Sequence, residues 1–118
     1  MEKRILVIED DTDILSLIQT ILETEGYTVI PSTNSTPLSS LDELHPNLIL
    51  LDHFLGNSLG HTICKELKED PDSVDIPVIL ISGAADLQEI AGSCNADSFI
   101  KKPFDIDEVI NKVKEYAC

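Results

Sequence analysis

Short apolar runs alternate with segments of helical period along the whole chain. "RILVI" (4–8), "YTVI" (27–30), "NLILL" (47–51), "IPVILI" (76–81) and "SFI" (98–100) are rich in Ile, Val and Leu. Runs of this length without polar alternation are typical of strands buried on both faces, as in a parallel sheet. Between them, Ile14, Leu17, Ile18, Ile21 and Leu22 recur at helical spacing, opened by the capping acids Asp11 and Asp13 and closed by Gly26. Pro37 after Thr36 suits the first position of a second helix carrying Leu38 and Leu41. Ile63 and Leu67 mark a third, ending near "DPDS", and Leu87, Ile90, Ala91 and Cys94 a short fourth. Ile106, Val109, Ile110 and Val113 form a fifth, led by Asp105.

Strands alternating with crossover helices predict a parallel sheet covered on both faces, with right-handed connections. A closed barrel of such units needs eight of them and roughly 250 residues. The chain has 118. The expectation is therefore a doubly wound open α/β sheet, one domain over residues 1–118, with no linker or low-complexity tract.

In such a sheet the ligand crevice lies beyond the carboxyl ends of the strands. Glu9, Asp10 and Asp11 follow the first strand, Asp52 the third, Ser82 and Gly83 the fourth, and Lys101, Lys102 and Pro103 the fifth. Singly, each has an ordinary structural reading: a helix cap, a loop hydroxyl, a turn glycine, a solvated lysine. Together they place Glu9, Asp10 and Asp52 at one sheet edge, where each close pair repels by about 4 kcal/mol at an effective dielectric near 20. A cation must offset that. Mg²⁺ suits the set, because it takes one or two carboxylates, keeps several waters and shares its remaining positions with a phosphate. Lys102 is a point charge for the same phosphate and Ser82 a hydroxyl donor. Metal, carboxylate nucleophile, lysine and hydroxyl are the parts needed to transfer a phosphoryl group to an aspartate.

Composition narrows the picture further. Apolar residues are 42% and charged residues 25% of the chain, and no segment approaches the ~20 apolar residues of a membrane span. "MEKRILVIEDD" meets acid soon after a short apolar run, unlike a signal peptide, so the expected location is cytoplasmic. The net charge of −14 speaks against direct binding to nucleic acid, which needs clustered Lys and Arg. Cys64, Cys94 and Cys118 lack paired spacing and predict neither a disulfide framework nor a zinc site. Helix packing is expected for the first two and a frayed end for the third.

"ILVIEDD", "LILLDHFLGNSLG", "PVILISG" and "FIKKPF", in this order and over essentially the whole chain, resemble the receiver domains of two-component response regulators, of the stand-alone chemotaxis-type size. The resemblance implies a flavodoxin-like (βα)5 fold with strand order 2-1-3-4-5. It implies that Asp52 accepts a phosphoryl group from the histidine of a sensor histidine kinase or phosphotransfer protein. It further implies Asp10 as the direct Mg²⁺ ligand, Glu9 as its neighbour acting through water, Asp11 as mainly a helix start, and the Phe54 carbonyl completing the metal site. Ser82 resembles the switch hydroxyl and Phe99 the aromatic whose rotamer follows it, while Lys102 and Pro103 match the family's lysine and its cis proline bond, with Gly83 structural beside them. The face of the fourth helix, fifth strand and fifth helix is then the output to a downstream effector protein. Such a domain is a phosphoacceptor that catalyses its own phosphorylation and dephosphorylation, not a turnover enzyme.

His53 stands where the family usually has an aliphatic residue and is expected to be partly exposed beside the phosphate pocket. Gly56 replaces the family's proline, which predicts a looser "GNSLG" loop, and Gly92 predicts a short or mobile fourth helix. His45 and His61 offer no constellation. Other readings are a receiver excised from a larger regulator or hybrid kinase, and a receiver-shaped scaffold that takes no phosphate. An aspartate-based phosphatase lacks its second acid, since position 54 is Phe, and flavin or nucleotide binding lacks a Gly- or Ser-rich loop after the first strand, where "EDDTD" would repel the anion.

Overall fold

Five parallel strands form one sheet in a computed structural model that describes residues 2–55 and 58–117. The strands are β1 (Arg4–Ile8), β2 (Thr28–Ser32), β3 (Leu48–Asp52), β4 (Val78–Ser82) and β5 (Ser98–Lys101), in the order β2-β1-β3-β4-β5. The sequence-based order and fold class hold. The helices are α1 (Thr12–Thr24), α2 (Leu41–Leu44), α3 (Gly60–Glu69), α4 (Leu87–Ser93) and α5 (Ile106–Tyr116).

Each central strand is apolar on both faces because it feeds two cores. Ile5, Val7, Leu48, Leu50, Ile79 and Ile81 point to one side, where they meet Leu15, Ile18 and Leu22 of α1 and Val109 and Val113 of α5. Leu6, Ile8, Ile49, Leu51, Val78 and Leu80 point to the other and meet Cys64 and Leu67 of α3 and Leu87 and Ala91 of α4. Alternation of side chains along a strand makes this division obligatory once helices cover both faces. Cys64 and Cys94 are free, buried thiols in the second core, as expected for packing residues. Cys118 and Gly56 lie outside the described residues.

The α1 stripe differs from the expected one. Asp11 caps the helix, its carboxylate accepting the Asp13 and Ile14 backbone N–H groups. With that start, Leu15, Ile18 and Leu22 fall within a sector of roughly 60° at ~100° per residue. They take the centre of the buried face, Ile14 is half-buried, and Leu17 is 46% exposed. The second helix also differs: Thr36–Ser40 is a 3₁₀ turn after Ser35, and only Leu41–Leu44 is α-helical, ending at His45 with φ 47°. Pro37 in the first turn supplies no N–H, so the tighter turn loses nothing there.

β2 is an edge strand and contains Pro31, paired with Val7. Thr28 donates to the Lys3 carbonyl and Ser32 accepts from the Glu9 N–H, so even-numbered residues of β2 face β1. Pro31, of opposite parity, lacks its donor on the outward side, where an edge tolerates it.

Register fixes the site. Ile8 pairs with Leu51, Asp52 with Ile81, and Ser82 with Lys101. Glu9, Asp52, Ser82 and Lys102 therefore arrive together at the carboxyl edge.

Candidate functional site

Glu9, Asp10 and Asp52 each offer a carboxylate oxygen within 4.8 Å of the others. Glu9 and Asp52 are buried, at 2% and 4% exposure, and Asp10 is exposed. Lys102 reaches in from beyond β5, its Nζ 2.6 Å from Glu9 Oε1 and 3.5 Å from Asp52 Oδ1. The second oxygen of Glu9, Oε2, is buried with no hydrogen-bond partner. Buried carboxylate oxygens are rarely left so.

The electrostatics follow from this crowding. Burial pushes the Asp52 carboxyl up to about 6, helped by the hydrogen bond and charge of Glu9 and opposed by Asp10 and Lys102. Asp10 is raised as well, first by its hydrogen bond with Asp52 and then by burial. Both shifts run toward the protonated form of the carboxyl. Burial works against the Lys102 charge, but the hydrogen bond to Glu9 and the nearby Asp52 and Glu9 charges outweigh it and raise the ammonium pKa. Three carboxylates against one ammonium leave a net negative pocket of oxygen donors, which suits a hard divalent cation rather than a thiophilic one.

Ser82 closes β4, buried, and its Oγ accepts the Ala84 N–H at 3.1 Å. That bond leaves the hydroxyl proton available. The Lys102 N–H donates to the Ser82 carbonyl at 2.8 Å, so the two residues are held side by side. The Lys102–Pro103 peptide is cis, as expected. Gly83 is exposed, and a Cβ there would make only ordinary contact with Lys102, so its lack of a side chain is not demanded locally. Phe99 lies in β5 opposite Leu80, half-buried against the core under α3 and α4, away from the carboxylates. Phe54 exposes 54% of its surface.

The loop after Asp52 corrects two expectations. Phe54–Leu55 pairs antiparallel with Ser58–Leu59, which brings His53 opposite Gly60. His53 is buried, at 5% exposure, rather than partly exposed. Its ring centroid lies 4.6 Å from that of Phe54, and its Nε2 is 2.9 Å from Nδ1 of His61. His61 is therefore a partner of His53, and the two do form a constellation. Burial, followed by the neighbouring His61, lowers the His53 pKa, so the ring is held neutral. Gly60 donates to the His53 carbonyl at 2.6 Å, and a Cβ on it would stand 2.5 Å from the Asp52 carbonyl oxygen. Only glycine fits that approach. The signal for both contacts was "FLGNSL", two apolar-containing pairs around a Gly-Asn dipeptide of the kind that closes hairpins.

Known proteins with this pattern are response regulators. The response regulator receiver domain model matches residues 5–114. Over 114 residues the chain is 36% identical to the DNA-binding dual master transcriptional regulator RpaA of Synechocystis sp., covering 94% of this chain and 47% of that protein. The receiver domain of NtrX from Brucella abortus superposes with a TM-score of 0.84 at 31% identity, over 96% of this chain and 97% of that one. A CheY-like receiver domain protein from Methanospirillum hungatei superposes with a TM-score of 0.88 at 29% identity, over 99% and 94%. The chain spans about half the length of the curated relatives it matches. With the fold, the strand order and a family match over nearly the whole chain in agreement, the chain belongs to the response regulator receiver domains.

Proposed function

We propose that residues 1–118 form a single receiver domain that accepts a phosphoryl group on Asp52 from the phosphohistidine of a sensor histidine kinase or phosphotransfer protein. The P–N bond to the donor imidazole breaks as a P–O bond to an Asp52 carboxylate oxygen forms, and the imidazole leaves with the electron pair. Glu9, Asp10, Asp52 and the Phe54 carbonyl would hold Mg²⁺, which when bound supplies positive charge to the phosphoryl oxygens. The observation that carries this reading is the buried, unpartnered Glu9 Oε2 within a three-carboxylate cluster that one lysine only partly neutralises.

Lys102 is placed to offer its charge to the phosphoryl group, moving its weight from Glu9 toward Asp52. Ser82 offers its hydroxyl proton from the neighbouring strand end, and Gly83 and Pro103 carry the chain away from the site. A bond from Ser82 to the new anion draws on the β4–α4 loop, and Phe99 in the adjoining strand follows. The surface of α4, β5 and α5 is then remade for a downstream effector protein. No second acid stands at position 54, so the acyl phosphate is a signal with a lifetime, lost by hydrolysis, and not a step of steady turnover. Among the described residues no helix is long and apolar enough to cross a membrane. The net charge of −14 disfavours nucleic acid as a direct partner, and on this reading the protein works in the cytoplasm and acts on proteins.

Intact mass after incubation with acetyl phosphate, with and without Mg²⁺, tests this on wild type and Asp52→Asn. One phosphoryl group added only with Mg²⁺ and only to wild type is expected. An unmodified wild type in the presence of Mg²⁺ overturns it.

A further inference from the structure

We infer that His61, acting through the buried ring of His53, is a positioning residue that sets the loop carrying the Phe54 carbonyl. The inference rests on the metal-site reading above. His53 follows Asp52 directly and precedes Phe54, so its backbone sets the position from which the Phe54 carbonyl is presented. That backbone is clasped twice from the start of α3. Gly60 donates to the His53 carbonyl at 2.6 Å and presses against the Asp52 carbonyl, and His61 Nδ1 meets His53 Nε2 at 2.9 Å.

The tautomer of the pair follows from what surrounds it. His53 Nδ1 is buried with no partner among the described residues. A proton there would be an orphaned buried N–H, a group that folded proteins rarely leave unpaired. With the proton on Nε2 it is donated to His61 Nδ1, and Nδ1 of His53 keeps only a bare lone pair. His53 is then the donor and His61 the acceptor. The ring is held from beneath by this bond and from outside by Phe54, at 4.6 Å between centroids. A side chain held at its edge by a hydrogen bond and packed against the neighbouring ring allows its own backbone little rotation. His61 never touches the phosphoryl group in this scheme; its effect reaches the site through His53.

The test compares wild type, His61→Leu and His61→Asn in the full chain. Asn places its Oδ1 where the imidazole Nδ1 stood and so keeps an acceptor; Leu keeps bulk without one. Mg²⁺ affinity is read from backbone amide shifts of residues 52–55, and phosphorylation by acetyl phosphate from intact mass across a Mg²⁺ series. His61→Leu is expected to weaken Mg²⁺ roughly tenfold, the low end of what partners behind a metal's own ligands carry. Its phosphorylation rate should fall at low Mg²⁺ and recover at saturation, while His61→Asn stays within about twofold of wild type. Imidazole ¹⁵N shifts of wild type should show His53 protonated on Nε2. Unchanged Mg²⁺ affinity in His61→Leu, an Asn variant as weak as Leu, or His53 protonated on Nδ1 overturns the inference and leaves the phosphoacceptor reading intact. A wild type that neither binds Mg²⁺ nor gains mass overturns that reading and this one with it. Should His61→Leu fail to fold, His61→Ala is read in its place.

Discussion

Lys102 and Glu9 form an ion pair across the sheet edge, 2.6 Å from Nζ to Oε1, although Asp52 is the residue expected to react. The lysine thus sits closer to a neighbour, while its ion pair with Asp52 is longer, at 3.5 Å. Removing it leaves the buried Glu9 carboxylate without its cationic partner and with Oε2 still unpaired among the described residues. Lys102→Met should destabilise the cation-free protein by about 2 kcal/mol, somewhat less than for a fully buried pair because the lysine keeps some contact with solvent. Lys102→Arg should retain most of that stability while changing the phosphorylation rate. Urea unfolding in EDTA measures the first and acetyl phosphate kinetics the second.

The pH dependence of stability has a definite sign. Asp52 titrates near 6 in the folded chain against an ordinary 3.8, so the native state holds this proton more tightly than the unfolded chain. Its stabilising contribution is complete below the ordinary value and is lost as pH rises through about 6. Asp10 is shifted in the same direction. In EDTA, the difference in Tm between Asp52→Asn and wild type should therefore be positive at pH 7.5 and shrink toward pH 4. At pH 7.5 it should correspond to on the order of 2 kcal/mol. Saturating Mg²⁺ should narrow the gap at pH 7.5. A difference that grows on acidification contradicts the burial argument.

Two glycines make opposite predictions. Gly60→Ala drives a Cβ to 2.5 Å from the Asp52 carbonyl oxygen and 2.8 Å from His53 Cα, both backbone atoms with no room to yield. A loss of about 2–3 kcal/mol is expected, with weakened Mg²⁺ binding, since the displaced atoms belong to the acceptor loop. Gly92→Ala meets nothing within 4 Å on an exposed turn of α4. It should gain up to about 1 kcal/mol by helix propensity. Thermal melts of both variants decide the pair.

Helix α1 offers a matched comparison of two leucines. Leu15 is buried among β1, β3 and α5 side chains, and Leu17 is 46% exposed beside Pro103 and Phe104. Leu15→Ala should cost about 2–4 kcal/mol and Leu17→Ala less than about 1. The reverse order would mean that the helix phase described above is wrong.

Most of the fold was legible because burial on both faces writes itself into composition: "RILVI", "LILL" and "VILI" admit few other readings. The carboxylate cluster was legible for a related reason, since parallel strands in register must deliver their next residues to the same edge. Strand ends were less so. The third and fourth ladders continue one residue past the apolar run, into Asp52 and Ser82, so the chemically important residues sit inside the hydrogen-bonded sheet where a hydropathy boundary leaves them out. Leu15 was missed because the helix carries six apolar positions, more than one buried face takes, and periodicity alone does not say which of them meets the sheet. The His53–His61 bond was missed because it depends on a short hairpin folding back, a tertiary event that no periodicity records.

Pro31 bears on what this sheet does in company. A strand arriving from another chain at the open flank of β2 would need the outward donors of that strand to start a ladder. One of them does not exist at Pro31. Thr28 and Ser32 spend theirs and their carbonyls on the inner neighbour, as parity requires. The flank of β2 is thus a poor template for edge-to-edge growth, which closes one side of the sheet to the route by which apolar strands build fibrous aggregates.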